Sequence, residues 1–81
     1  MAKLKILSGI EVVKIFEHFG FGAIKQKGSH VKLQRYTTDG LRQTLTIPRH
    51  EELDKGTLRA IYTQALHYIS ENDLRSHFYS E

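Results

Sequence analysis

The chain has no cysteine, so its candidate nucleophiles, proton carriers and metal ligands are hydroxyls, carboxylates, lysines and five histidines. Among these, histidine exchanges a proton near neutral pH. His18, His30, His50, His67 and His77 are scattered along the sequence, and the default reading of any one is a polar surface residue. His18 falls near the end of a helical pattern, where the helix dipole favours a cation. His50-Glu51-Glu52-Leu53-Asp54 lacks the second histidine of a zinc-protease helix and follows a proline, and the remaining histidines form no metal-ligand spacing. No metal site is expected. Ser29 beside His30 is not a hydrolase pair, because neighbours on a strand point to opposite sides. Gly20-Phe21-Gly22 lacks the further glycine of a dinucleotide loop and reads as a turn.

His30 differs from the others in its neighbours. Lys25, Lys27 and Lys32 stand close to it in sequence. Residues 25–49 hold six basic residues against the single acid Asp39, while residues 50–81 are net acidic and the whole chain carries +3. A basic middle suits a polyanion such as nucleic acid; the bland alternative is a solvated, lysine-rich face. RNA carries its own nucleophile, the ribose 2′-hydroxyl. A base to remove its proton, with cations to stabilise the charged transition state at phosphorus, suffices to cleave the strand without a metal.

That chemistry needs a scaffold. Ser8-Gly9-Ile10-Glu11 has the capping-box pattern, and Val12, Val13, Phe16 and Phe19 follow at helical spacing before Gly20. The first helix is predicted over roughly 9–19. Residues 30–36 and 41–47 alternate polar with apolar, Thr37-Thr38-Asp39-Gly40 reads as the turn between them, and Gly28-Ser29 as a tight turn before them. A further strand over 22–27 completes a three-stranded antiparallel meander, which Pro48 ends. Residues 49–55 read as a polar loop. Leu58, Ile61, Tyr62, Ala65, Leu66 and Ile69 then define an amphipathic helix, and Ser70-Glu71-Asn72-Asp73 restarts a short one carrying Leu74 and Phe78.

This order predicts an α+β domain over residues 1–81 whose helices cover one sheet face. With Val31, Leu33, Leu45 and Ile47 on the covered side, alternation puts His30, Lys32, Gln34, Arg42, Thr44 and Thr46 on the open side. At 81 residues, 40% hydrophobic and 26% charged, the composition is that of one ordinary globular domain. No apolar run approaches the ~20 residues of a membrane span, and the start is too short for a secretory signal, so a soluble, cytoplasmic protein is expected.

Several motifs in order resemble the HicA (YcfA-like) family of toxin–antitoxin mRNA interferases. Phe19-Gly20-Phe21 is similar to the family's Leu-Gly-Phe, and Gln26-Lys27-Gly28-Ser29-His30 to its Gly-Ser-His signature. Thr46-Ile47-Pro48-Arg49-His50 resembles its strand-three exit, and Lys55-Gly56-Thr57-Leu58-Arg59-Ala60-Ile61 the start of its second helix. The resemblance covers roughly residues 8–66 and leaves 67–81 as a C-terminal helical extension. It implies a double-stranded-RNA-binding-domain-like fold, helix–three-stranded antiparallel sheet–helix. It also implies a metal-independent endoribonuclease that cuts mRNA, with no cofactor and with the Gly-Ser-His histidine, here His30, as the catalytic residue. The partner it implies is a HicB-type antitoxin that covers the active face. RNA contacts are expected from Lys25, Lys27, Gly28, Ser29, Lys32 and Arg42. The strand Val31 to Tyr36 carries fewer aromatics than many members. The competing reading is a non-catalytic RNA-binding module that uses the same basic face to hold duplex RNA by shape. A third is a domain that binds an acidic protein.

Overall fold

A computed structural model describes residues 2–81. Its elements are β1 (Lys3–Leu4), α1 (Gly9–His18), β2 (Gly22–Lys27), β3 (His30–Tyr36), β4 (Arg42–Pro48), α2 (Lys55–Ala65), α3 (Glu71–Phe78) and β5 (Tyr79–Ser80). Strands β2, β3 and β4 form an antiparallel sheet in that order, and the helices lie against one of its faces. This is the α+β, helix–sheet–helix arrangement of the double-stranded-RNA-binding-domain type. Among the described residues no helix is long and apolar enough to cross a membrane.

Local chemistry sets the ends of α1. The Ser8 side chain accepts from the Glu11 amide at 3.0 Å, and the Glu11 carboxylate accepts from the Ser8 amide at 2.8 Å. This complete capping box holds the Glu11 carboxyl below its ordinary value, chiefly through the backbone hydrogen bond. At the other end Gly20 turns left-handed, with φ 92°. Its amide donates to Glu17 and that of Phe21 to Phe16, the paired bonds of a Schellman stop. The same turn brings the Phe16 and Phe21 rings edge to face at 5.8 Å.

The core is continuous from Leu7 to Phe78. Val31, Leu33, Leu45 and Ile47 of the sheet are buried beneath Val12 and Phe16 of α1, Leu58, Ile61, Tyr62 and Ala65 of α2, and Leu74 and Phe78 of α3. Helix α3 therefore completes the core, with both of its apolar residues fully buried.

Three local expectations need correction. The stretch 49–55 is not wholly a polar loop: Leu53 is buried, its amide donates to the Leu7 carbonyl, and α2 already starts at Lys55 behind an Asp54 cap. Helix α2 stops at Ala65, so Leu66 turns outward half-exposed, and Ile69 reaches the core from the connection. At α3 the Ser70 side chain caps no backbone amide and its hydroxyl donates instead to Asp73.

Non-local contacts add what periodicity does not reveal. Strand β1 pairs antiparallel with β5, placing Lys3 opposite Ser80 and Leu4 opposite Tyr79. The Arg35 guanidinium donates to the carbonyls of Phe19 and Tyr68, at 2.7 and 2.8 Å, and to the Gln43 side chain, and it lies over the Phe21 ring at 4.7 Å. Arg35 thus ties the end of α1, the connection after α2 and strand β4 together.

Candidate functional site

Strand register decides which side chains share the open face. In an antiparallel ladder, directly opposed residues lie on the same side. His30 opposes Lys27 on β2 and Pro48 on β4; Lys32 opposes Lys25 and Thr46; Gln34 opposes Gly22 and Thr44; Tyr36 opposes Arg42. All of these lie on the side away from Val31, Leu33, Leu45 and Ile47. The expected open-face residues are all there.

Lys25 and Lys27 reach that face through a β-bulge. The register of β2 against β3 shifts between Ala23 and Lys25, leaving Ile24 as the extra, exposed residue. Ala23 opposes the core residue Leu33, so regular alternation from Ala23 would turn Lys25 and Lys27 toward the helices. One extra residue inverts the phase and aims both lysines outward. Nothing in the residue types around Ile24 marks the bulge.

The Gly28-Ser29 turn joins Lys27 directly to His30. Gly28 has φ 58°, and a side chain there would meet nothing within 4 Å, so its backbone conformation and not the available space calls for glycine. Glycine at the first central position suits the two-residue hairpin loop. The Ser29 carbonyl accepts from the Arg49 amide, which fastens the turn to the exit of β4. His50 is thereby carried to the same end of the sheet as His30, and its carbonyl accepts from the Gly9 amide at 2.9 Å. Gly9, the first residue of α1, sits against the same exit: a Cβ there would lie 2.0 Å from the Pro48 carbonyl oxygen and 2.8 Å from the Arg49 Cα. The start of α1 therefore buttresses the segment beside His30.

His30, Lys25, Lys27, Lys32, Gly28 and Ser29 cluster at one end of the sheet, all exposed. Arg42 shares the face but stands at the other end of β3, six residues from the position opposite His30 and so about 20 Å away. Arg35, one of the six basic residues of the middle segment, is engaged by backbone carbonyls on the helix side and leaves the surface to the other five.

A feature not anticipated lies elsewhere. A cleft of about 410 Å³, lined by Lys5, Lys14, Glu11, His18 and His77 among others, runs along α1 away from the sheet's open face. The His18 and His77 rings stand 5.4 Å apart, and burial, then the nearby His18 and Lys5, hold the His77 imidazole below its ordinary value. Among the described residues no three His, Asp or Glu side chains stand together as metal ligands.

Comparison with known proteins agrees with the motifs. The family model described as the HicA toxin of bacterial toxin–antitoxin systems matches residues 9–66. Comparisons with curated proteins and with solved structures gave no match. The matched stretch runs from the first residue of α1 through the end of α2 and takes in the whole open face, and on it the chain belongs to the HicA toxin family.

Proposed function

We propose that this toxin is an endoribonuclease that cleaves mRNA by using the RNA's own 2′-hydroxyl, with His30 as the proton-transfer residue. The observation that carries this reading is the company His30 keeps: an exposed imidazole opposite Lys27, with a directly opposed pair of lysines, Lys25 and Lys32, as the next pair on the same face. Like charges directly across a ladder cost stability, and a bound phosphate chain offsets that cost.

In the proposed step, His30 takes the 2′-hydroxyl proton as the oxygen attacks the adjacent phosphorus. The bond from phosphorus to the 5′-oxygen breaks, that oxygen takes up a proton, and the ends are a 2′,3′-cyclic phosphate and a 5′-hydroxyl. His30 can supply the second proton as well as accept the first; His50 is a second imidazole carried to the same end of the sheet. Lys25, Lys27 and Lys32 hold the flanking phosphates and stabilise the extra negative charge at phosphorus. Gly28 and Ser29 form the turn that leaves the RNA backbone room to approach. The chemistry calls for no metal.

His30→Ala tests this directly. Cleavage of a single-stranded RNA should fall by at least about a hundredfold, the usual share of a general acid–base group, while RNA binding persists. Wild-type products should carry the cyclic phosphate end. Undiminished cleavage by the variant would remove His30 from the mechanism, and salt-sensitive binding with no cleavage by the wild type would favour the non-catalytic RNA-binding module. The charge of this face also suits an antitoxin of the HicB type that presents acidic residues and covers His30.

A further inference from the structure

The far end of the open face carries a side chain that the fold does not use. Tyr36 is 63% exposed, whereas Tyr62, Tyr68 and Tyr79 each pack against another aromatic ring. Tyr36 opposes Arg42 across β3 and β4, on the face that holds His30 and the lysines. Directly opposed side chains stand about 5 Å apart at Cβ, so one ligand can reach both the phenol ring and the guanidinium. The only acid of the adjoining turn, Asp39, is engaged by the Thr37 hydroxyl. Between the two ends lie Gln34, Thr44 and Thr46, which are neutral hydrogen-bonding groups, with Gly22 at the edge.

An exposed ring opposite an exposed cation, on a face whose other end holds three lysines, matches one ligand chemistry well. A nucleobase stacks on the ring while the guanidinium takes the neighbouring phosphate or stacks in turn. Stacking needs a base whose face is free, which a paired, stacked duplex does not offer along its length. We infer that Tyr36 and Arg42 form a distal subsite for an unpaired nucleobase, so that the substrate is single-stranded RNA running about 20 Å along β3 from His30. This rests on the RNA-cleaving reading above and deepens it: the lysine end holds the scissile phosphate, and the Tyr36 end holds a base several nucleotides away.

The chain has no tryptophan, so Tyr36→Trp places a single tryptophan, excitable apart from the remaining tyrosines, in the subsite. The probe is a short single-stranded 2′-O-methyl oligonucleotide of mixed sequence, which lacks the nucleophile and survives the measurement. Binding should quench the Tyr36→Trp emission. Tyr36→Ala should weaken affinity by about tenfold or more, and Tyr36→Phe, which keeps the ring, by less than about twofold. Circular dichroism and thermal melting should show all three variants folded as the wild type is, since the ring is exposed. Annealing the oligonucleotide to its complement should abolish both the quench and the Tyr36→Ala effect. Equal affinity of wild type and Tyr36→Ala for the single strand, with no quench, overturns the subsite while leaving the His30 chemistry standing. No RNA binding by the wild type overturns the RNA reading itself. A Tyr36→Ala variant that binds RNA normally but loses its antitoxin would reassign the ring to a protein interface.

Discussion

At the scale of single residues, the open face gives up stability for charge. Lys25 and Lys32 oppose each other directly, with Lys27 and His30 as the next pair on that face. Replacing either opposed lysine with glutamine should raise folding stability by a few tenths of a kcal/mol, read by urea denaturation at low salt. The same change should weaken RNA binding and lower the slope of log affinity against log salt by about 0.7 per lysine. A stability gain without loss of RNA affinity would make the pair a solvated surface and nothing more. Arg35 shows why charge counts alone overstate such a face. Its sequence position places it with the basic middle, yet each of its three guanidinium nitrogens donates elsewhere, to the Phe19 carbonyl at the end of α1, to the Tyr68 carbonyl after α2 and to Gln43. An arginine whose fork fits main-chain carbonyls is a clamp, and sequence does not separate that role from phosphate binding.

At the scale of elements, the site depends on how the start of α1 meets the exit of β4. Alanine ordinarily stabilises a helix relative to glycine by about 1 kcal/mol. At Gly9 the opposite is expected, because the added Cβ would fall 2.0 Å from a main-chain oxygen that cannot swing aside. Gly9→Ala should therefore destabilise the fold by about 1–3 kcal/mol in a denaturant titration, the usual cost of overpacking, and should slow RNA cleavage by displacing Pro48 to His50 beside His30. A stabilised variant would show that this junction yields. Much at this scale was legible in the sequence: the Ser8 and Glu11 box, the Gly20 stop, and the alternation that put Val31 and Leu33 inward and His30 and Lys32 outward. Those signals are local and periodic. What stayed hidden was non-local or broke the period. The β1–β5 pairing joins residues almost a chain length apart, the bulge at Ile24 carries no glycine to mark it, and Leu53 looks like loop until Leu7 is placed beside it.

At the scale of the whole molecule, the cleft along α1 makes stability sensitive to pH. The His77 ring packs against both Phe19 and His18, with Lys5 close by and Lys14 and Glu11 lining the same cleft. Burial first, then the positive charge of its neighbours, makes protonation harder in the folded state than in the unfolded chain. The unfolded chain therefore binds more protons, and stability is lost as pH falls through the ordinary imidazole value of 6.5. Glu11, held below its ordinary value by hydrogen bonds from Ser8, and Asp54, held low by hydrogen bonds from Thr57, add a separate loss only below about 4.5. His77→Gln should flatten the upper part of the stability profile and leave the lower part unchanged, a distinction thermal melts across pH will show. An unaltered upper part would place the acid sensitivity elsewhere. The bulge in β2 has a consequence for anyone comparing related chains. Because Ile24 inverts the side on which Lys25 and Lys27 emerge, a relative with one residue fewer between the helix stop and the Gly-Ser turn would turn its matching cations inward. In this stretch, counting positions foretells the polarity of the surface better than matching letters, and a gap closed for tidiness in an alignment would erase the difference.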